Sequence, residues 1–308
     1  MRYEPSYLEA FRKGILEDRV SSALLLLESC SLCPRQCSVN RLSGERGFCR
    51  TGRKALAASH GAHFGEESPL VGSHGSGTIF FSSCNLLCSF CQNDDISHGM
   101  AGREVEPEHL AAMMLSLAEQ GCHNINFVTP SHVVPQILEG LLIAAAQGLD
   151  IPLVYNCGGY ESLSTLELLE GIVDIYMPDF KFWDNRWGFY TCSVFDYRER
   201  ACEALREMHR QVGDLEISEE GIALRGLLVR HLVMPGGAAG TEEVMRFLAR
   251  EISPETYVNI MDQYRPCFRA VGDDELGRAI TGEEYRRALT AAREAGLKRL
   301  DGPRRLGA

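Results

Sequence analysis

A chain of 308 residues, 45% of them hydrophobic, has room for one large domain or two small ones and for a substantial core. Its 31 basic and 42 acidic residues leave a net charge of −11. This argues against duplex nucleic acid as the main partner, which needs a basic face, although a local basic patch stays open. No run approaches the roughly 20 apolar residues of a membrane span. Ala23-Leu-Leu-Leu-Leu27 is short and flanked by charge, and Met1-Arg-Tyr-Glu-Pro5 has no secretory pattern, so a cytoplasmic location is expected. Twelve cysteines in such a chain read as metal ligands rather than as a disulfide framework.

In chain order, residues 7–28 form a helical stretch that runs into Cys30-Ser-Leu-Cys-Pro-Arg-Gln-Cys37, with Cys49 behind Gly44-Glu-Arg-Gly-Phe48. Cys30, Cys33, Cys37 and Cys49 have the spacing C-x2-C-x3-C-x11-C, with glycines and a proline around them as a metal knuckle needs. Four thiolates suit structural zinc or an auxiliary iron–sulfur cluster; free thiols are the plainer reading.

From Thr78 the pattern alternates strand and helix. Strands are expected at 78–82, 124–128, 152–156, 173–177, 227–233 and 257–261, each a short apolar run of the kind found in buried parallel sheets. Helices are expected at 107–120, 134–147, 163–170, 197–212, 242–251 and 282–295, with Gly121, Gly148 and Gly171 at helix ends. Six units predict a parallel α/β architecture, two short of a full barrel. Periodicity alone leaves a doubly wound sheet open. The expected organisation is an N-terminal helix and cysteine-rich segment over 1–75, the α/β unit over 76–300, and a tail over 301–308.

A second cysteine group carries more chemistry. Cys84, Cys88 and Cys91 stand in Ser82-Ser-Cys-Asn-Leu-Leu-Cys-Ser-Phe-Cys-Gln-Asn93, spaced C-x3-C-x2-C, directly after the first expected strand. Three thiolates can hold three irons of a [4Fe–4S] cluster and leave the fourth open, the mark of a catalytic metal site. A zinc site or three unrelated loop cysteines is the plainer alternative.

Active residues of barrel-like parallel sheets gather at the C-terminal strand ends. Here those ends read Cys84, Val128-Thr-Pro-Ser-His132, Tyr155-Asn-Cys-Gly-Gly-Tyr160, Met177-Pro-Asp-Phe-Lys181, His231-Leu-Val-Met-Pro-Gly-Gly237 and Met261-Asp-Gln-Tyr-Arg-Pro-Cys267. Asp179 and Lys181, two apart, share one face of a strand and can meet a zwitterionic ligand; a surface ion pair is the plainer reading.

The cluster loop, with Phe90 before its last cysteine, resembles that of radical S-adenosylmethionine (radical SAM) enzymes. Within them the chain is similar to the pyruvate formate-lyase-activating group, the activases of glycyl radical enzymes. Cys88-Ser-Phe-Cys-Gln-Asn93 matches their C-x-x-C-[HQ]-N, and Met177, Asp179 and Lys181 match M-x-D-x-K. Asn156-Cys-Gly158 fills the place of their third-strand N-G turn. An activase-like subfamily also carries the four N-terminal cysteines, Gly75-Ser-Gly-Thr-Ile-Phe-Phe81 and Gln263-Tyr-Arg-Pro-Cys267, so the resemblance covers nearly the whole chain.

The resemblance implies a partial (β/α)6 barrel. It also implies a [4Fe–4S] cluster on Cys84, Cys88 and Cys91, and S-adenosylmethionine bound near Asn156, Met177, Asp179, Lys181, Thr129 and Ser131. A monovalent cation beside the ligand carboxylate and a one-electron donor such as flavodoxin or ferredoxin are implied as well. The implied substrate is a glycine Cα–H of a glycyl radical enzyme. Thr129-Pro-Ser-His132 stands where activases carry G-G-E; Ser131 or backbone carbonyls are expected to serve the ligand's amino group there, with His132 pointing into the site. The competing readings are a radical SAM enzyme acting on another peptide or a small molecule and, from another class, an iron–sulfur electron carrier.

Other residues are read as structural. His60, His63 and His74 lack metal-type spacing to the cysteines, and Gly236-Gly237 lacks a dinucleotide fingerprint. Tyr264 and Arg265 could touch nucleoside or substrate, and Cys267 reads as a buried thiol. Cys122, Cys192 and Cys202 are isolated, whereas Cys157 sits at a strand end.

Overall fold

The computed structural model describes residues 3–301. Ten strands are present among them: β1 (Ala55–His63), β2 (Ser76–Phe81), β3 (Arg103–Val105), β4 (Ile125–Val128), β5 (Leu153–Cys157), β6 (Ile175–Pro178), β7 (Glu216–Ile217), β8 (Ala223–Leu232), β9 (Tyr257–Met261) and β10 (Arg299–Leu300). The helices are α1 (Ser6–Arg12), α2 (Ile15–Leu25), α3 (Ser68–Val71), α4 (Asp94–Ser97), α5 (Pro107–Glu119), α6 (Val134–Ala146), α7 (Leu163–Leu169), α8 (Asn185–Cys192), α9 (Tyr197–Val212), α10 (Thr241–Phe247) and α11 (Gly282–Ala295). No helix among the described residues is long and apolar enough to cross a membrane.

The protein is α/β with a mostly parallel sheet. Strands β2, β4, β5, β6, β8 and β9 lie side by side in that order, every neighbouring pair parallel. They follow the chain without a reversal, so the sheet has no switch point and is not doubly wound. The six expected strands are these six, their ends shifted by a few residues. Their two faces differ in chemistry because side chains alternate along a strand. Ile79, Phe81, Phe127, Tyr155, Leu227 and Val229 face the helices and belong to the main core. Val154, Ile175, Met177 and Leu228 point the other way, into a small separate cluster closed by Leu70, Leu215 and Ala223. Asn156, Asp179 and Arg230 continue that inner face toward the C-terminal strand ends.

The N-terminal third departs from the expected organisation. Strand β1 pairs antiparallel with β2, and β3 with β1, so the sheet begins well before residue 76. Tyr7, Leu16 and Val20 belong to the main core, and the Tyr7 hydroxyl donates to Ile151 O at 3.2 Å. The helix expected over 7–28 is two helices, because Gly14 adopts φ +73°, which breaks the ladder. Gly121, Gly148 and Gly171 have φ of +84°, +94° and +73° after α5, α6 and α7, as helix stops. A π-helical turn, Leu248–Ile252, follows α10. Apart from Asp301, which accepts from the Tyr257 hydroxyl at 2.6 Å, the expected tail lies outside the described residues.

Candidate active site

The loop after β2 carries Cys84, Cys88 and Cys91 over the C-terminal strand ends. Two non-glycine residues in it, Ser83 and Leu87, have φ of +71° and +50°. Such conformations are costly and persist only where surrounding contacts impose them. Here Ser83 N donates to Ile96 O at 2.9 Å, Ser89 N to Thr191 O at 2.8 Å and Cys91 N to Cys88 O at 3.1 Å. Phe90 is buried, its ring edge-on to Phe182 at 5.8 Å.

Each sulfur has a hydrogen-bonding neighbour. Leu86 N donates to Cys84 Sγ at 3.3 Å, the Ser97 hydroxyl to Cys91 Sγ at 3.2 Å, and Cys192 Sγ lies 3.3 Å from Cys88 Sγ. Burial pushes the Cys84 thiol up to about 12 and raises Cys91 as well. Coordination to iron would deprotonate these thiols outright. Among the described residues no three cysteine, histidine or carboxylate groups converge on a single ion. A [4Fe–4S] cubane takes one cysteine per iron and asks for no such convergence, so the donor set fits it.

The three cysteines line a cavity of about 240 Å³ together with Thr129, Asn156, Gly158, Asp179, Lys181 and Arg230. Lys181 Nζ donates to Asp179 Oδ2 at 2.5 Å, and Arg230 Nε donates to Oδ1 at 2.9 Å. Arg230 Nη2 also reaches Asn156 Oδ1 at 2.6 Å, and Nη1 lies 3.5 Å from Glu66. Burial would raise the Asp179 carboxyl, but Arg230 and Lys181 outweigh it and hold the group below its usual range. Burial would lower Lys181, and Asp179 outweighs that in turn. Side-chain exposures of 18–19% across the trio remove it from the class of solvated surface pairs. A Cβ at Gly158 would stand 2.7 Å from Leu86 Cδ1, so a larger residue there would push the buried Leu86 side chain aside.

No family model matches the chain. The uncharacterized protein MJ0674 of Methanocaldococcus jannaschii is 32% identical over 298 residues, which cover 94% of this chain and 82% of that protein. The chain belongs to the MJ0674 family. That relationship leaves the chemistry to be argued from the site.

Several expected residues occupy other places. The Ser131 hydroxyl does not reach the cavity; it donates to Glu161 Oε1 at 2.6 Å. The Met177 side chain is buried in the inner apolar cluster, and only its backbone, paired with Asn156, adjoins the site. His132 does not line this cavity but faces the N-terminal cysteines, and its Nε2 lies 2.9 Å from Ser82 O. Tyr264 is buried with its hydroxyl on Leu276 O, while its neighbour Gln263 lines the cavity. His63 packs beside Phe80, and His74 beside His123, away from the cysteines.

Four residues were missed. Arg230 and Glu161 lacked a motif. Cys192 and Arg35 lie far in sequence from what they touch. Glu161 is buried and accepts from Ser131 and from the Tyr155 hydroxyl at 2.9 Å; burial pushes its carboxyl up to about 7 despite these bonds. Arg35 donates to Asn85 O at 3.0 Å, Ser193 O at 2.8 Å and Cys192 O at 2.5 Å, tying the loop of Cys84, Cys88 and Cys91 to the end of α8. The only advance signal for Arg230 was its charge directly after the apolar run Leu227-Leu-Val229.

Proposed function

We propose that the chain is a radical SAM enzyme. The observation that carries this reading is the meeting, in one cavity, of Cys84, Cys88 and Cys91 with Asn156, Asp179, Lys181 and Arg230. Cys84, Cys88 and Cys91 would hold a [4Fe–4S] cluster, which, charged by a donor such as flavodoxin or ferredoxin, would supply the one-electron reductive cleavage of S-adenosylmethionine that starts hydrogen-atom abstraction from a substrate. Lys181 and Arg230 offer cationic donors for the ligand carboxylate, and Asp179 and Asn156 offer acceptors for its amino group. The sheet's sequential strand order supports a partial (β/α)6 barrel, with the site at its C-terminal mouth.

The substrate follows from the activase resemblance: a glycine Cα–H of a glycyl radical enzyme, with another peptide or a small molecule as the alternative. A ligand-sized cavity against the cysteines favours an enzyme over an electron carrier, which has no use for one. The test is anaerobic reconstitution with iron and sulfide, followed by dithionite and S-adenosylmethionine. Formation of 5′-deoxyadenosine and methionine, lost when all three cysteines become Ala, is expected. Full iron loading without cleavage would overturn the reading.

A further inference from the structure

A second thiol-lined space lies behind the cluster loop. Cys30, Cys33, Cys37 and Cys49 line one cavity of about 10 Å³, walled also by Arg35, Arg41, Phe48, Asn85 and His132. Residues 30–49 thus fold back on themselves to bring four thiols together, with Phe48 N donating to Cys37 Sγ at 3.4 Å.

Two buried groups here are incompletely matched: Arg41 is hydrogen-bonded but has no ion-pair partner among the described residues, and one ring nitrogen of His132 has no hydrogen bond. Arg41 is 1% exposed, and no carboxylate pairs with it among the described residues. It donates to Gly52 O at 2.8 Å and His132 O at 2.9 Å, and its Nη1 lies 3.9 Å from Cys30 Sγ. A buried cation facing only neutral groups is costly, and an anionic thiolate set beside it would offset the charge. His132 is 1% exposed, and its Nδ1 is buried without a hydrogen-bond partner. Its Nε2 can donate only to the Ser82 carbonyl, which leaves Nδ1 as a bare lone pair. That arrangement, one ring nitrogen fixed by a carbonyl and the other free, is the one metal-ligating histidines use.

We propose that this pocket binds one zinc ion through four of its five donors, Cys30, Cys33, Cys37, Cys49 and His132. Thiolate and imidazole ligands suit zinc in tetrahedral coordination. In the present side-chain positions the pocket has space for about one water-sized sphere, which suits a single ion. The sulfurs do not already converge on a point, so metal binding would have to draw them in by side-chain rotation.

The site is placed to organise the cluster loop. The Ser83 hydroxyl donates to Cys49 O, His132 meets Ser82 O, and Arg35 holds Asn85 O. Metal binding would therefore stiffen the segment that presents Cys84, without contact to the S-adenosylmethionine cavity.

The inference is independent of the proposed activity, and the test keeps the two apart. The full chain with Cys84, Cys88 and Cys91 all replaced by Ala is purified without chelator and its metals measured. One zinc per chain is expected, falling below 0.1 when Cys30 and Cys33 are also changed to Ser. Because that variant can misfold, the parent is also stripped with a chelator and titrated with Co2+. A one-to-one endpoint with thiolate-to-cobalt charge-transfer bands and tetrahedral d–d bands is expected. No metal, iron in place of zinc, or a cobalt spectrum without thiolate bands would overturn the assignment.

Discussion

Arg230 on β8 reaches Asp179 at the end of β6, its Nε 2.9 Å from Oδ1, while Lys181 holds the other carboxylate oxygen. Two cations thus share one partly buried carboxylate, and a third contact ties Arg230 to Asn156. The arrangement fixes the carboxylate plane and leaves donor capacity on both cations. A ligand carboxylate entering the cavity would meet oriented groups rather than flexible ones, which lowers the ordering cost of binding.

Lys181 tests that relationship. Losing one charged hydrogen bond to a buried ligand costs about 1.5–3 kcal/mol, or roughly 10- to 150-fold in affinity. Lys181→Ala should weaken S-adenosylmethionine binding by that factor in equilibrium dialysis and leave the iron content unchanged. Unaltered affinity would return the pair to a structural role.

Cys192 should tune the cluster. With Cys88 ligating iron as thiolate, the neighbouring Cys192 thiol, 3.3 Å away, can only donate to it. Hydrogen bonds to cluster sulfurs raise the potential by stabilising the reduced, more negative state. Cys192→Ala should retain its iron and shift the midpoint potential down by roughly 20–60 mV, the equivalent of one ordinary hydrogen bond. An EPR-monitored redox titration reads this, and an unchanged midpoint rules out the contact as a tuning element.

Glu161 should give stability a pH dependence of definite sign. Burial raises its carboxyl from 4.5 to about 7, so the folded chain keeps a proton that the unfolded chain has released. Its stabilising contribution is full below about 4.5 and is lost as pH rises through about 7. Relative to Glu161→Gln, the unmodified chain should lose up to about 3 kcal/mol between those limits. Urea unfolding of both chains across that range checks it; parallel curves would contradict it.

Arg35 should matter for loop order. Its guanidinium makes three hydrogen bonds to backbone carbonyls and lies over the Phe48 ring, 3.6 Å from the centroid. Arg35→Ala should cost about 2–3 kcal/mol and raise amide hydrogen exchange in residues 84–91 and in the end of α8. Exchange that rises elsewhere but not there would show the clamp to be idle.

The six parallel strands were legible because buried parallel strands are short, mostly apolar runs, as at Ile125–Val128, and because glycines such as Gly121 mark the ends of the helices between them. Strand β1 was not. Its sequence, Ala-Leu-Ala-Ala-Ser-His-Gly-Ala-His, grows more exposed along its length and carries little apolar signal, so only pairing with β2 makes it a strand. Asp179, Lys181 and Asn156 were legible from strand-end position. Ser131 was misread because a hydroxyl at a strand end has two sides to choose from, and a buried carboxylate took it.

The sequence by itself determined the two cysteine sets, the alternation of strand and helix, and the placing of Asp179 and Lys181 together just past a strand end, since spacing and period are local properties. Only the tertiary structure decided what each group meets. Arg230 comes to Asp179 across 51 positions, Cys192 to Cys88 across 104, and Arg35 to Asn85 across 50. It also turned His132 from the cavity beside Cys84 to the N-terminal thiols. Such contacts are set by strand order and helix packing, and those depend on summed burial over the whole chain rather than on any segment.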